Sequence, residues 1–164
     1  MRRWLAGEDF KTMPWANGKG VTVELARADQ SGEMLWRLSR ASVVEDGPFS
    51  VFAGIDRVLT VLTGPGFDLL GDGISLQARP WVPVAFAGDL PLRAAGVTAP
   101  SDDFNVMTAR HLGPAQVRVL THAETVVPGG LSALYWPDQA KLLLTDEPFG
   151  FIADGPAVLV GLPV

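Results

Sequence analysis

The sequence contains no cysteine. Disulfides, thiolate nucleophiles and thiolate metal sites are excluded together. Histidine is almost as scarce, with only His111 and His122. Neither has a second histidine two or four residues away. A divalent metal in a β-barrel ordinarily draws three or more His or carboxylate ligands from neighbouring strands, so no metal and no cofactor is expected. Charged residues are thin at 19%, against a usual share of about 25%. The thirteen Lys and Arg are scattered through a chain of net charge −5. Neutralising phosphates takes a clustered basic face, and its absence excludes a nucleic-acid binder. No apolar run reaches the length of a membrane span. The opening MRRWLAGEDF meets Gly7, Glu8 and Asp9 before any apolar stretch develops. The expectation is a soluble, cytoplasmic protein with no membrane partner.

A helical period is also missing. No segment longer than about ten residues keeps one. Eighteen glycines and thirteen prolines interrupt the chain from end to end, which favours short strands joined by turns. Hydrophobic residues make up 48% of the 164 positions. A chain of that length buries roughly 70% of its unfolded surface without a metal or disulfide. The expectation is one compact all-β unit spanning residues 1–164. One short helix is allowed near residues 101–104, and Pro80 and Pro83 confine residues 81–86 to an edge strand or extended loop.

Residues 34–62 organise the rest: a strand, a turn-rich crossing through Asp46-Gly47-Pro48-Phe49-Ser50, and a second strand. The first strand opposes Leu35, Arg37, Ser39 and Ala41 to Trp36, Leu38, Arg40 and Ser42. Arginine and serine two apart, beside short neighbours, leave room for a small anion. Arg57 shares a face with Leu59 and Val61. Asp56 points the other way unless a bulge intervenes. Asn105, Met107 and Ala109 share one face of a later strand. Glu24 reads as solvated, or else as lining a cavity beside Thr22. The pair Asp102-Asp103 reads as a solvated polar turn. The glycine loop of residues 13–20 precedes a strand rather than a helix, so it is no phosphate loop. It reads as a tight turn, or as a loop bringing Asn17 or Lys19 to a ligand.

Three blocks carry a family resemblance. Met13-Pro14-Trp15-Ala16-Asn17-Gly18-Lys19-Gly20-Val21-Thr22 with Glu24 resembles the opening motif of the HutD/Ves family. Trp36-Arg37-Leu38-Ser39 with Ala41, followed by Gly47-Pro48-Phe49-Ser50, Phe52 and Gly54-Ile55-Asp56-Arg57, is similar to its central signature. Phe86 with Gly88-Asp89, and Asp103-Phe104-Asn105-Val106-Met107, match its third block. Lys19 departs from the family's run of three glycines after the asparagine. The resemblance implies a cupin-like fold of two small β-barrels packed as one unit, a bicupin, without the paired histidines of cupin metal sites. It also implies a regulatory protein that binds small carboxylates such as formate or urocanate, linked to histidine utilisation in one branch and to stress response in the other.

The expected site is a polar pocket in one barrel. Arg37 or Arg57 is its charged anchor, Ser39 and Asn105 give neutral hydrogen bonds, and Phe52, Phe86 and Met107 form the apolar wall. Asp56 is the internal acid that could satisfy an arginine in place of a ligand. No residue is assigned a catalytic role. A metal-independent isomerase or hydrolase of a small metabolite, and a protein-interaction module, stay open as alternatives. A homodimer is left open as the assembly.

Overall fold

The computed structural model describes residues 1–15, 18 and 20–163. Asn17 and Lys19, offered above as ligand contacts, lie outside them. Among the described residues helix is confined to three 3-10 turns, Gly7–Asp9, Arg110–Leu112 and Pro137–Gln139. None of the described helices is long and apolar enough to cross a membrane. In chain order the strands are β1 (Arg2–Leu5), β2 (Lys11–Pro14), β3 (Val21–Gln30), β4 (Glu33–Val43), β5 (Gly47–Pro48), β6 (Ile55–Thr63), β7 (Phe67–Gly71), β8 (Ile74–Ala78) and β9 (Val84–Ala87). They continue with β10 (Arg93–Ala95), β11 (Ser101–Ala109), β12 (Gln116–Leu120), β13 (Glu124–Val126), β14 (Ser132–Trp136), β15 (Lys141–Thr145), β16 (Phe149–Phe151) and β17 (Ala157–Gly161).

The longest strands make a central six-stranded sheet, ordered β2-β3-β4-β11-β6-β9 and antiparallel throughout. Both of its faces are covered. Trp36, Leu38, Phe104 and Val106 leave one face and pack with Tyr135, Leu142, Val158 and Val160 from the five-stranded sheet β1-β15-β14-β17-β12. Val43, Leu59 and Val61 leave the other face and meet Phe67, Leu69, Ala78 and Ala94 around the four-stranded sheet β5-β10-β7-β8. A third core, with Leu134, Leu143, Phe149 and Phe151, lies between the five-stranded sheet and the small pair β13-β16. The result is two sandwiches back to back. Period-two alternation makes this possible, because successive side chains on one strand feed different cores.

Several local expectations change. Residues 101–104 form no helix: they begin β11, whose central position between β4 and β6 demands a full ladder on both sides. Met13 and Pro14 end a strand rather than open a loop, and Pro14 is tolerated because β2 is an edge strand. Strands β1, β2 and β13 have too little alternation to be read from sequence. A bulge in β3 at Leu25 shifts the register between Glu24 and Ala26. Leu25 stays on the core face with Val23 and is almost fully buried, and the extra residue brings Ala26 and Ala28 onto that face as well. Within the described residues the hydrogen-bonded strand orders are open. As expected of its prolines, β9 is an edge strand.

Leu38 is completely buried at the centre of the shared core. Leu38→Ala removes its methyl groups and leaves a cavity that a sheet braced on both faces cannot close. The expected cost is about 2–5 kcal/mol, read as a fall in urea midpoint at unchanged slope.

Candidate anion site

The face of the central sheet that looks toward the four-stranded sheet carries an unusual share of polar groups. Antiparallel register sets Arg37 of β4, Met107 of β11, Arg57 of β6 and Phe86 of β9 in one row. The next row holds Glu24, Ser39, Asn105 and Leu59, and the one after it Thr22, Ala41, Asp103 and Val61. Where Leu59 and Val61 lie, the four-stranded sheet closes down as apolar core. Beside them, where Ser39 and Ala41 are short, it cannot. A hollow of about 490 Å³ remains, floored by Arg37, Ser39, Arg57, Asp103 and Asn105 and walled by Trp15, Phe49, Phe52 and Met107.

Arg57 is buried with only 6% of its surface exposed. Its guanidinium carbon lies 5.5 Å from the ring centre of Phe49, 5.4 Å from Phe52 and 5.1 Å from Phe86. Three aromatic faces offset part of the desolvation of the cation, each by about 0.5–2 kcal/mol. The cage depends on Gly88. Its amide donates to Ile55 O at 2.7 Å and its carbonyl accepts from Phe52 N at 2.7 Å. A Cβ there would come within 2.7 Å of Ile55 O and 2.9 Å of Phe52 O. The crossing after β5 can therefore press Phe52 down over Arg57. Gly20 plays a similar part beside Trp15, whose ring a Cβ would meet at 2.8 Å. Trp15 Nε1 donates to Thr22 Oγ1 at 2.8 Å, fixing that wall. Gly18, by contrast, has the positive φ (70°) expected of a tight turn.

The floor is a directed chain of hydrogen bonds. Arg57 Nη2 donates to Asn105 Oδ1 at 2.8 Å, and Asn105 Nδ2 donates to Asp103 Oδ1. Arg57 Nε and Asp103 Oδ2 are buried without a partner. Desolvation lowers the Arg57 pKa to about 10, with nearby Arg37 pushing the same way and Asp103 opposing. Burial pushes the Asp103 carboxyl up to about 7, against the pull of the Asn105 hydrogen bond and of Arg57. Arg37 is differently placed. Its Nε lies 3.3 Å from Glu24 Oε1, yet the two are too poorly aligned to hydrogen bond. The two nevertheless form an ion pair, which overturns the reading of Glu24 as solvated.

Of the residues expected at the site, Arg37, Ser39, Phe52, Arg57, Asn105 and Met107 border the hollow. Phe86 does not border it but backs the Arg57 guanidinium. Asp56 is elsewhere: β6 turns it to the opposite face, where its Oδ1 accepts from Arg110 Nε at 2.8 Å and Asp89 also accepts from Arg110. Asp103 was missed. Both acids of the supposed polar turn are strand residues. Asp102 faces the other way to meet Arg40 Nη2 at 2.9 Å, while Asp103 is 1% exposed beneath the hollow. The signal was present, since Asp103 precedes Asn105 and Met107 by even steps and so shares their face. Among the described residues no three His, Asp or Glu side chains gather as a metal site.

The shift of Asp103 has a measurable consequence. Unfolded, the carboxyl ionises near 3.8; folded, near 7. Between these values the folded state holds one more proton, so its contribution to stability is full at low pH and falls by about 1.4 kcal/mol per unit as pH rises. Asp103→Asn removes the effect. The variant should melt above the parent near pH 8, and the gap should close as the pH is lowered through this window. A gap that stays constant with pH would show that Asp103 ionises normally.

The HutD family profile matches residues 7–145. Protein Ves of Cronobacter sakazakii is 41% identical over 149 residues, covering 85% of this chain and 82% of that protein. An uncharacterised 21.2 kDa protein in the hutC 3′ region of Pseudomonas putida is 42% identical over 112 residues. That match covers 64% of this chain and 57% of the relative, so the chain spans little more than half of the relative's length. Among solved structures, HutD from Pseudomonas fluorescens SBW25, in a formate condition, superposes with a TM-score of 0.85 at 27% identity, covering 98% of this chain and 97% of the other. With a profile match over most of the chain and a relative this similar over most of its length, the chain belongs to the HutD family.

Proposed function

We propose that this chain is a metal-free binding protein for small carboxylates, with a regulatory role in histidine utilisation. The observation that carries the reading is Arg57: a buried guanidinium in an aromatic cage, with an unpartnered Nε, on the floor of a hollow. A planar fork of donors matches a carboxylate, and burial strengthens each charge-assisted hydrogen bond. Arg37 approaches the same space from one side but already has Glu24, so Arg57 is the anchor and Arg37 the second cation. Ser39 and Asn105 flank the anion, and Phe49, Phe52 and Met107 exclude water from it. The formate condition named for the Pseudomonas fluorescens structure and the hutC-region position of the Pseudomonas putida relative favour this ligand class and this setting. On the same reading, the two back-to-back sandwiches are the halves of a bicupin, only one of which carries the site.

Thermal melting with millimolar sodium formate, acetate or urocanate tests the proposal. At a hundredfold excess over Kd the expected stabilisation is about 2.7 kcal/mol, roughly 5–10 °C in a domain of this size. Arg57→Met should abolish it, and Arg37→Met should only weaken it. No shift with any of the three acids in the parent protein would refute the reading.

One observation favours the alternative of a metal-independent isomerase or hydrolase: a carboxyl that titrates near neutral pH is a candidate general acid or base, and Asp103 is such a group. Incubation of urocanate with pure protein separates the two readings. An unchanged ultraviolet spectrum is expected of a binding protein, and loss of the chromophore would favour the enzyme.

A further inference from the structure

The chain of hydrogen bonds on the pocket floor runs one way. Arg57 can only donate, and Asn105 accepts from it at Oδ1 and donates onward from Nδ2. Asp103 accepts at Oδ1, which leaves Oδ2 as the one oxygen of this series with nothing to bind. The surrounding charges are mostly matched. Arg37 on β4 faces Glu24 on β3, and Arg40, on the far face of β4, pairs with Asp102 of β11 itself. Beta strand β5 and the crossing after it bring Pro48, Phe49 and Ser50 over the hollow, none of them charged. Among the described residues, only Arg57 and Asp103 remain to set the charge of the floor. With Asp103 ionised the floor is neutral, and a bare carboxylate oxygen opposes any incoming anion. With a proton on Oδ2 the floor carries one net positive charge and an O–H donor.

We propose that Asp103 is a proton-switched specificity determinant: the site takes up one small monocarboxylate together with one proton. The inference rests on the carboxylate-binding reading above. The proton comes from solvent and sits on Asp103 Oδ2, which then donates to one oxygen of the ligand while Arg57 supplies the opposing charge. No other bond is made or broken. A monoanion cancels the single positive charge of this floor. A dicarboxylate would add a second, unmatched charge in a buried place, so the site selects for monoacids. Because burial raises Asp103 to about 7, the switch lies where small changes in pH act on it. Apparent affinity scales with the fraction of protein in the protonated, competent form.

Isothermal titration of the intact chain with sodium formate, in buffers of different ionisation heat, measures both affinity and protons taken up. Formate itself stays ionised throughout the range. Affinity should fall by about tenfold per pH unit above pH 7, with uptake rising from near zero at about pH 6 toward one proton at about pH 8. Succinate should bind far more weakly than formate or acetate. Asp103→Asn keeps an acceptor for Asn105 and a permanent donor in place of the Oδ2–H, so its formate affinity should be independent of pH with no proton uptake. Formate binding by the parent with a flat pH profile and no uptake overturns this inference and leaves the carboxylate reading standing. A variant that retains the parent's slope overturns it as well. Absence of formate binding at every pH overturns both.

Discussion

The structure depends on one strand that must satisfy two cores at once. Strand β11 is paired on both edges, and every second side chain enters a different layer. Phe104 and Val106 join the apolar interface with the C-terminal half, where Phe104 stacks on Tyr135 at 5.2 Å. Asp103, Asn105 and Met107 face the other layer, the first two in the floor of the hollow and the third in its wall. Neither set can shift by one residue without burying acid and amide in the apolar interface and exposing phenylalanine to the pocket. The register that secures the fold therefore also holds the polar site in place.

That arrangement explains how a protein with few charges keeps several of them inside. Each buried or half-buried charge has a different compensation. Arg40 reaches across the layers to donate to Tyr135 Oη at 3.2 Å and to Asp102. Arg37 has Glu24, at a distance that attracts but an angle that does not bond. Arg57 has rings and an amide, with no carboxylate in contact, and its nearest acid is reached through Asn105. A fully matched ion pair would have closed this site to ligands. Placing an amide between cation and acid leaves donor capacity at Arg57 Nε and acceptor or donor capacity at Asp103 Oδ2. The glycine at position 88 belongs to the same design, because the aromatic cage forms only where the crossing can approach the β6–β9 edge without a side chain in between.

Strand identity and face were legible from the residues alone wherever alternation was clear. Arg37 with Ser39 and Ala41, Arg57 with Leu59 and Val61, and Asn105 with Met107 share faces because a two-residue period is a local property of extended backbone. The separation of Asp56 from Arg57 followed from the same rule. The family was legible too, from three ordered blocks. Edge strands such as β1 and β2, and the short β13, escaped because exposed strands carry no alternating apolar signal. Asp103 escaped because two adjacent acids resemble a solvated turn until the neighbours that bury one of them are known.

The sequence by itself determined the all-β character, the faces of the long strands and the absence of thiolate chemistry, since these follow from residue type and local period. Tertiary structure alone decided which faces meet. It placed Glu24 against Arg37, sent Asp56 to Arg110, raised three phenylalanines around Arg57 and sank Asp103 beneath the hollow. Partner choice and desolvation depend on residues from five to 54 positions apart in the chain, and those distances are set only when strands pair and sheets stack.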